Sequence, residues 1–257
     1  AKRHSNQEKP EPLYTMEDAD GIIKRIIPYH YDKKFELCPG IEVRFTDVGH
    51  LLGSASIEVW ICENGVNKKI VFSGDIGNKE QPLLKNPSFT EEADYVVMES
   101  TYGNRYHPER PDYIKKLTEY IQRTFDRGGN VVIPSFAVGR TQEILYFIRQ
   151  IKQEKLIKDH DNFSVYIDSP LAIEATNIFL NCNTAYFDDE TRDLIDRGIN
   201  PLAAAAYKAP HPACTVFTVH SDITFVLDER SNFCKDCLFI TGQVTAKVYR
   251  SDIAITI

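Results

Sequence analysis

The chain has 257 residues, 42% of them hydrophobic and 26% charged, with a formal net charge of −7. That composition excludes a disordered chain and leaves room for one large domain or two modest ones. The acidic balance excludes a protein that binds polyanions through its overall field, so a nucleic-acid partner needs a local basic groove.

In chain order, residues 1–12 read as a polar loop without the apolar stretch of a secretion signal. TMED at 15–18 fits a capping box, and Ile22, Ile23, Ile26 and Ile27 follow at helical spacing up to Pro28. The period then changes. IEVRFTDV, SIEVWIC and KKIVFSGD read as three strands, with the hairpin signal Asn64-Gly65 between the second and third. DYVVMES is a fourth strand.

Beyond it, strands alternate with helices. The spacing of Ile114, Leu117, Ile121 and Phe125 predicts a helix over 108–127, stopped by Gly128-Gly129. NVVIPSF, a helix over 141–154, FSVYIDS, a helix over 171–180 and the short capped helix DDETRDLIDRG complete the alternation. The pattern predicts a parallel sheet layered by helices, an α/β fold. From about Ala203 the period is lost, although TVFTVH, TFVLD, LFITG and DIAITI are short apolar runs with strand character. No run is long or apolar enough to span a bilayer. Six scattered cysteines are too sparse for a disulfide scaffold, which points to a reducing, cytoplasmic compartment.

The chemistry-bearing residues lie where strands end. His50 stands in DVGHLLGSAS and Asp75 in FSGDIG, each beside glycines that let the backbone turn and leave space open. Imidazole nitrogen and carboxylate oxygen both ligate zinc at about 2.0–2.2 Å, but a catalytic zinc commonly takes three protein ligands and water. Alone, the two residues read as readily as a loop histidine and a turn aspartate. Tyr102, Tyr106 and His107, near Arg105 and Arg110, have the chemistry to stack and pair with RNA, and equally that of a solvated turn. Cys62 and Cys182 read as core, Cys234-x-x-Cys237 as chance spacing, and Glu143 as support for a helix start.

DVGHLLGSASIEV, VFSGDIG, ADYVVMESTYGNR, IPSFAVGRTQEIL and YIDSPLA occur in that order. Together they resemble the metallo-β-lactamase-fold nucleases with an inserted β-CASP domain. The likeness is to the bacterial and archaeal ribonuclease branch, akin to the endonuclease subunit of the mRNA cleavage and polyadenylation machinery, over about residues 10–202. It implies a partial metallo-β-lactamase fold, an αββα sandwich, with an inserted β-CASP α/β domain. The boundaries it implies are 1–98 for the metallo-β-lactamase part, 99–202 for β-CASP and 203–257 for a divergent tail.

The same resemblance makes His50 a zinc ligand and Asp75 the carboxylate bridging two zinc ions. It makes Glu99 the acid that orients a catalytic histidine, and places Arg140 and Ser169 on the nucleic-acid cleft. It implies RNA as partner and zinc-dependent phosphodiester hydrolysis as activity, with no membrane and with a homodimer left open. The family's HxHxDH string, its later histidine motifs and its SGM segment are absent from this sequence. His220 reads as a surface or core histidine rather than a ligand. The expectation is therefore an internal fragment of a ribonuclease, inactive and prone to aggregate alone, or else a member of the family that binds RNA or acts as a scaffold without catalysis. A nucleotide-binding domain is the remaining reading, but PSFAVGRTQE lacks the glycines of a phosphate loop.

Overall fold

The computed structural model describes residues 12–106, 109–203 and 237–241. Helix α1, Met16–Ile23, opens with the expected capping box. The Thr15 backbone N–H donates to the Asp18 carboxylate at 2.8 Å and the Asp18 N–H to the Thr15 hydroxyl at 3.3 Å. The helix stops at Ile23, short of the run to Pro28. Its apolar residues are not core: Ile22, Ile23, Ile26 and Ile27 are all exposed.

A five-stranded sheet follows in the order β1 (Phe35–Cys38), β2 (Ile41–Asp47), β3 (Ala55–Glu63), β4 (Val66–Phe72) and β5 (Tyr95–Val97). The first four strands form an antiparallel meander, as the three-strand pattern predicts, with β1 added ahead of it; β5 pairs parallel with β4. Asn64 and Gly65 take φ of 51° and 78°, the left-handed pair of a type I′ hairpin, and close the Glu63–Val66 pair. Period two splits the meander into faces. Ile57, Phe72 and Val97 lie in one cross-strand row, and Val59, Ile70 and Tyr95 in the next. The opposite face carries Glu42, Arg44, Glu58, Trp60 and Lys69.

The second half is layered α/β. Three parallel strands stand in the order β6 (Val131–Pro134), β8 (Cys237–Thr241), β7 (Ser164–Asp168). Around them lie α2 (Tyr113–Phe125), α3 (Arg140–Gln153), α4 (Pro170–Asn181) and α5 (Asp189–Asp196). Helix α2 starts five residues later than the spacing predicts. Pro111 holds its predecessor extended, and the Asp112 carboxylate caps the Lys115 N–H at 2.9 Å. The tail that the sequence leaves without a motif supplies the central strand: LFIT, with Cys237, is β8. His220 and Cys234 lie outside the described residues.

The main apolar core belongs to this half. Ile121, Phe125, Ile133, Ile144, Leu145, Ile148, Ile151, Ile167, Leu238 and Ile240 are fully buried, each side chain contributing about 1.5–3 kcal/mol. Leu83 and Leu84, from the connection between β4 and β5, are buried in the same cluster, and Leu84 bridges to Phe187. The first sheet is barer, and β5 is open on both faces: Tyr95, Val96, Val97 and Met98 are 55–64% exposed. Cys62, read from the sequence as core, is exposed on β3, because it sits at the hairpin end of the strand. No helix among the described residues is long and apolar enough to cross a membrane.

Candidate active site

The turns after β2 and β4 bring His50 and Asp75 together. Their closest atoms, Nε2 and Oδ2, are 3.9 Å apart. That is long for a hydrogen bond and near the separation of about 3.4 Å that two donors take around a tetrahedral zinc. Both side chains open to solvent, at 42% and 74% exposure, so a third group can reach between them.

Backbone geometry fixes the pair. The Gly77 N–H donates to the Val48 carbonyl at 2.8 Å. A Cβ on Gly77 would stand 2.1 Å from the Gly49 carbonyl oxygen and 2.6 Å from the His50 nitrogen, so only glycine lets the two turns touch. Gly49 itself has φ of 59°, and its N–H donates to the Asp47 carboxylate at 2.9 Å. The Ser54 hydroxyl accepts from the N–H groups of His50 and Leu51 at 3.1 and 3.2 Å.

Glu99, two residues past β5, reaches the same place. One carboxylate oxygen accepts the Ile76 N–H at 2.8 Å and the other the Thr101 hydroxyl at 3.0 Å. The Ile76 bond, then the Thr101 bond, hold the carboxyl below its ordinary range. Glu99 is thus a fixed anion beside Asp75, suited to orient a neighbouring imidazole rather than to give up a proton.

The helical half meets this site at Gly139, where φ is 84° and a Cβ would stand 2.4 Å from Leu51 Cδ2. Arg140, the next residue, opens α3 and pairs with Glu143 at 2.5 Å. Both line a polar cleft of about 770 Å³ that runs from Asn78 past Arg110 to Tyr146 and Arg192. Glu143 is buried, and burial pushes its carboxyl up against the opposing pull of Arg140 and Arg110. Its sequence position one turn into a helix gave no sign of this burial. Ser169 caps α4, its hydroxyl accepting the Ala172 N–H at 3.2 Å. Among the described residues, no three His, Cys, Asp or Glu side chains group to hold a metal ion. His50 and Asp75 therefore fit as part of a donor set, not as a whole one.

Residues 141–237 match the Beta-Casp domain, and the chain belongs to the β-CASP family of metallo-β-lactamase-fold proteins. It is 32% identical over 195 residues to Ribonuclease TTHA0252 of Thermus thermophilus, covering 76% of this chain and 43% of that protein. It is 31% identical over 192 residues to an RNase J-like protein of Methanocaldococcus jannaschii, covering 74% and 44%. It is 33% identical over 191 residues to the transcription termination factor FttA of Methanosarcina mazei, covering 72% and 29%. The chain thus spans less than half the length of these relatives.

Proposed function

We propose that this chain carries part of the active site of a zinc-dependent ribonuclease, in which His50 and Asp75 would hold the metal and Glu99 would orient the acid that protonates the leaving oxygen. The observation that carries the reading is the convergence of these three side chains on turns locked by the Gly49–Gly77 contact. The ribonuclease names of two relatives support it. When bound, zinc lowers the pKa of a water and offsets charge on the phosphate. The chain's own part is to hold donors at a fixed spacing, keep Glu99 ionised, and present Arg140 on the cleft wall to a phosphate. Ser169, engaged as a cap, contributes through the start of α4. RNA is the substrate and the cytoplasm the compartment in this reading. A two-donor grouping binds zinc poorly, so the chain alone is expected to cleave nothing.

That same two-donor grouping favours a second reading, a non-catalytic RNA-binding member of the family. Zinc content per chain separates them, measured on protein purified without chelator beside His50→Ala and Asp75→Ala. Zinc that is lost on either substitution supports the ribonuclease. Zinc near zero and unchanged in both variants confines the ribonuclease reading to a longer chain that supplies the remaining donors, and favours the non-catalytic reading for this one.

A further inference from the structure

We infer that Glu143 is a positioning residue for RNA, a buried carboxylate that gathers Arg110 and Arg140 into a clamp for one backbone phosphate. The inference rests on the RNA reading above and names the part of the cleft that holds the strand.

Three successive polar side chains, Thr141, Gln142 and Glu143, are buried at the start of α3. A buried polar group has to be bonded, and the first two bond within the fold. The Thr141 hydroxyl donates to the Phe136 carbonyl at 2.7 Å. The Gln142 amide accepts the Gly139 N–H at 2.7 Å and donates to the Thr176 hydroxyl at 2.9 Å. Glu143 differs. Its one side-chain bond among the described residues is with Arg140, on the cleft. Burial pushes its carboxyl up, and the charges of Arg140 and Arg110 pull it back. A buried carboxylate among cations adds little net stability, so the effect of Glu143 is on where the two arginines stand.

The arginines keep donors in reserve. The Arg140 side chain is 41% exposed and that of Glu143 10%, so the cation stands in the cleft with the anion behind it. Among the described residues, Arg140 bonds through one N–H group to Glu143, and Arg110 through one to the Glu80 carbonyl at 3.2 Å. A guanidinium carries five N–H donors in a planar fork, so each is anchored by one and presents the others. Two anchored forks around one carboxylate suit the several oxygens of a phosphate. The α5 part of the cleft is acidic instead. There Asp189 pairs with Arg192, and Glu190 accepts the Tyr146 hydroxyl at 2.6 Å. A strand is therefore drawn to the arginines rather than into the whole cleft, and one phosphate is the ligand. Both anchors lead back to the donor turns. Arg140 follows Gly139, which meets Leu51 beside His50, and Glu80 lies past Asp75 in the connection between β4 and β5.

The test is fluorescence anisotropy with a short fluorescein-labelled oligoadenylate and the 257-residue chain, in chelator so that no cleavage intervenes. Glu143→Gln keeps the shape of the side chain and removes a negative charge, so an effect of charge alone tightens RNA binding. A positioning role gives the opposite sign: Kd is expected to rise about 2- to 10-fold as the arginines regain their freedom. Arg110→Ala and Arg140→Ala are each expected to raise Kd at least about tenfold. Arg140→Lys is expected not to restore it, because an ammonium lacks the fork. In an Arg140→Ala background, Glu143→Gln is expected to weaken binding no further. Unchanged or tighter binding by Glu143→Gln, or the same weakening in the Arg140→Ala background, overturns the positioning role. Full rescue by Arg140→Lys, or equal binding by wild type and both alanine variants, overturns the clamp and leaves the RNA reading standing. Failure of the wild-type chain to bind the adenylate at low salt overturns both.

Discussion

Glu58 is the buried charge on which the first sheet's polar face is built, and acid should undo it. Its side chain is closed to solvent at the middle of β3. Burial alone raises its carboxyl, but bonds from Arg44, Lys69 and Thr90 and the charge of Arg44 outweigh burial and bring it to about 2, against 4.5 ordinarily. The Lys69 and Thr90 contacts are 2.9 and 2.8 Å, and Arg44 Nε makes a closer one. A carboxyl depressed on folding contributes stability that is fully present above about pH 4.5 and lost as pH falls towards about 2. A shift from 4.5 to about 2 corresponds to about 3 kcal/mol. Glu58→Gln keeps the shape but leaves Arg44 and Lys69 without their anion, so it should lose about that amount at pH 7 and almost nothing at pH 2. Urea unfolding reads this directly. The only tryptophan, Trp60, has Lys34, Arg44 and Lys69 at 4.2, 5.5 and 4.9 Å from its ring, so its emission reports this cluster. A deficit of equal size at both pH values, or none at pH 7, refutes the argument.

Gly77→Ala would place a methyl 2.1 Å from the Gly49 oxygen, so the two turns must part by about 1 Å. Metal affinity by equilibrium dialysis should fall at least about tenfold, whereas Gly21→Ala, with nothing within 4 Å, should not change it. Glu143→Gln should hold or raise the melting temperature at pH 8. A carboxyl raised on folding binds its proton more tightly in the folded state, so its ionised form weakens folding as pH climbs; a lower melting temperature at pH 8 than at pH 4, relative to wild type, argues against this. The open β5 edge should drive self-association. Val97→Lys should lower it in sedimentation velocity, and a wild type that stays monomeric at high concentration would count against the exposed-edge reading.

Local signals in the sequence were sufficient wherever the structure is local. Thr15 with Asp18 and Asn64 with Gly65 each act within four residues, and both form as expected. His50, Asp75 and Glu99 were legible as types at strand ends, but their meeting depends on the Gly49–Gly77 contact, between turns 28 residues apart in number. The α1 isoleucines have helical period yet no partner among the described residues, because periodicity marks a face and says nothing of what covers it. LFIT carried the composition of a strand, but the strands it joins begin at Val131 and Ser164, and parallel pairing over such spans leaves no local trace.

The order β6-β8-β7 also sets a timetable for making the protein. Parallel neighbours lie about 4.8 Å apart, so until β8 arrives β6 and β7 face one another across about 10 Å, too far to bond. From Asp168, the end of β7, to Thr241 is 73 residues, about 4 to 15 s at the usual pace of a ribosome. Through that interval the inner edges of both strands stand unpaired on a nascent chain. A chaperone, or the helices already made, must shield them until β8 slots between.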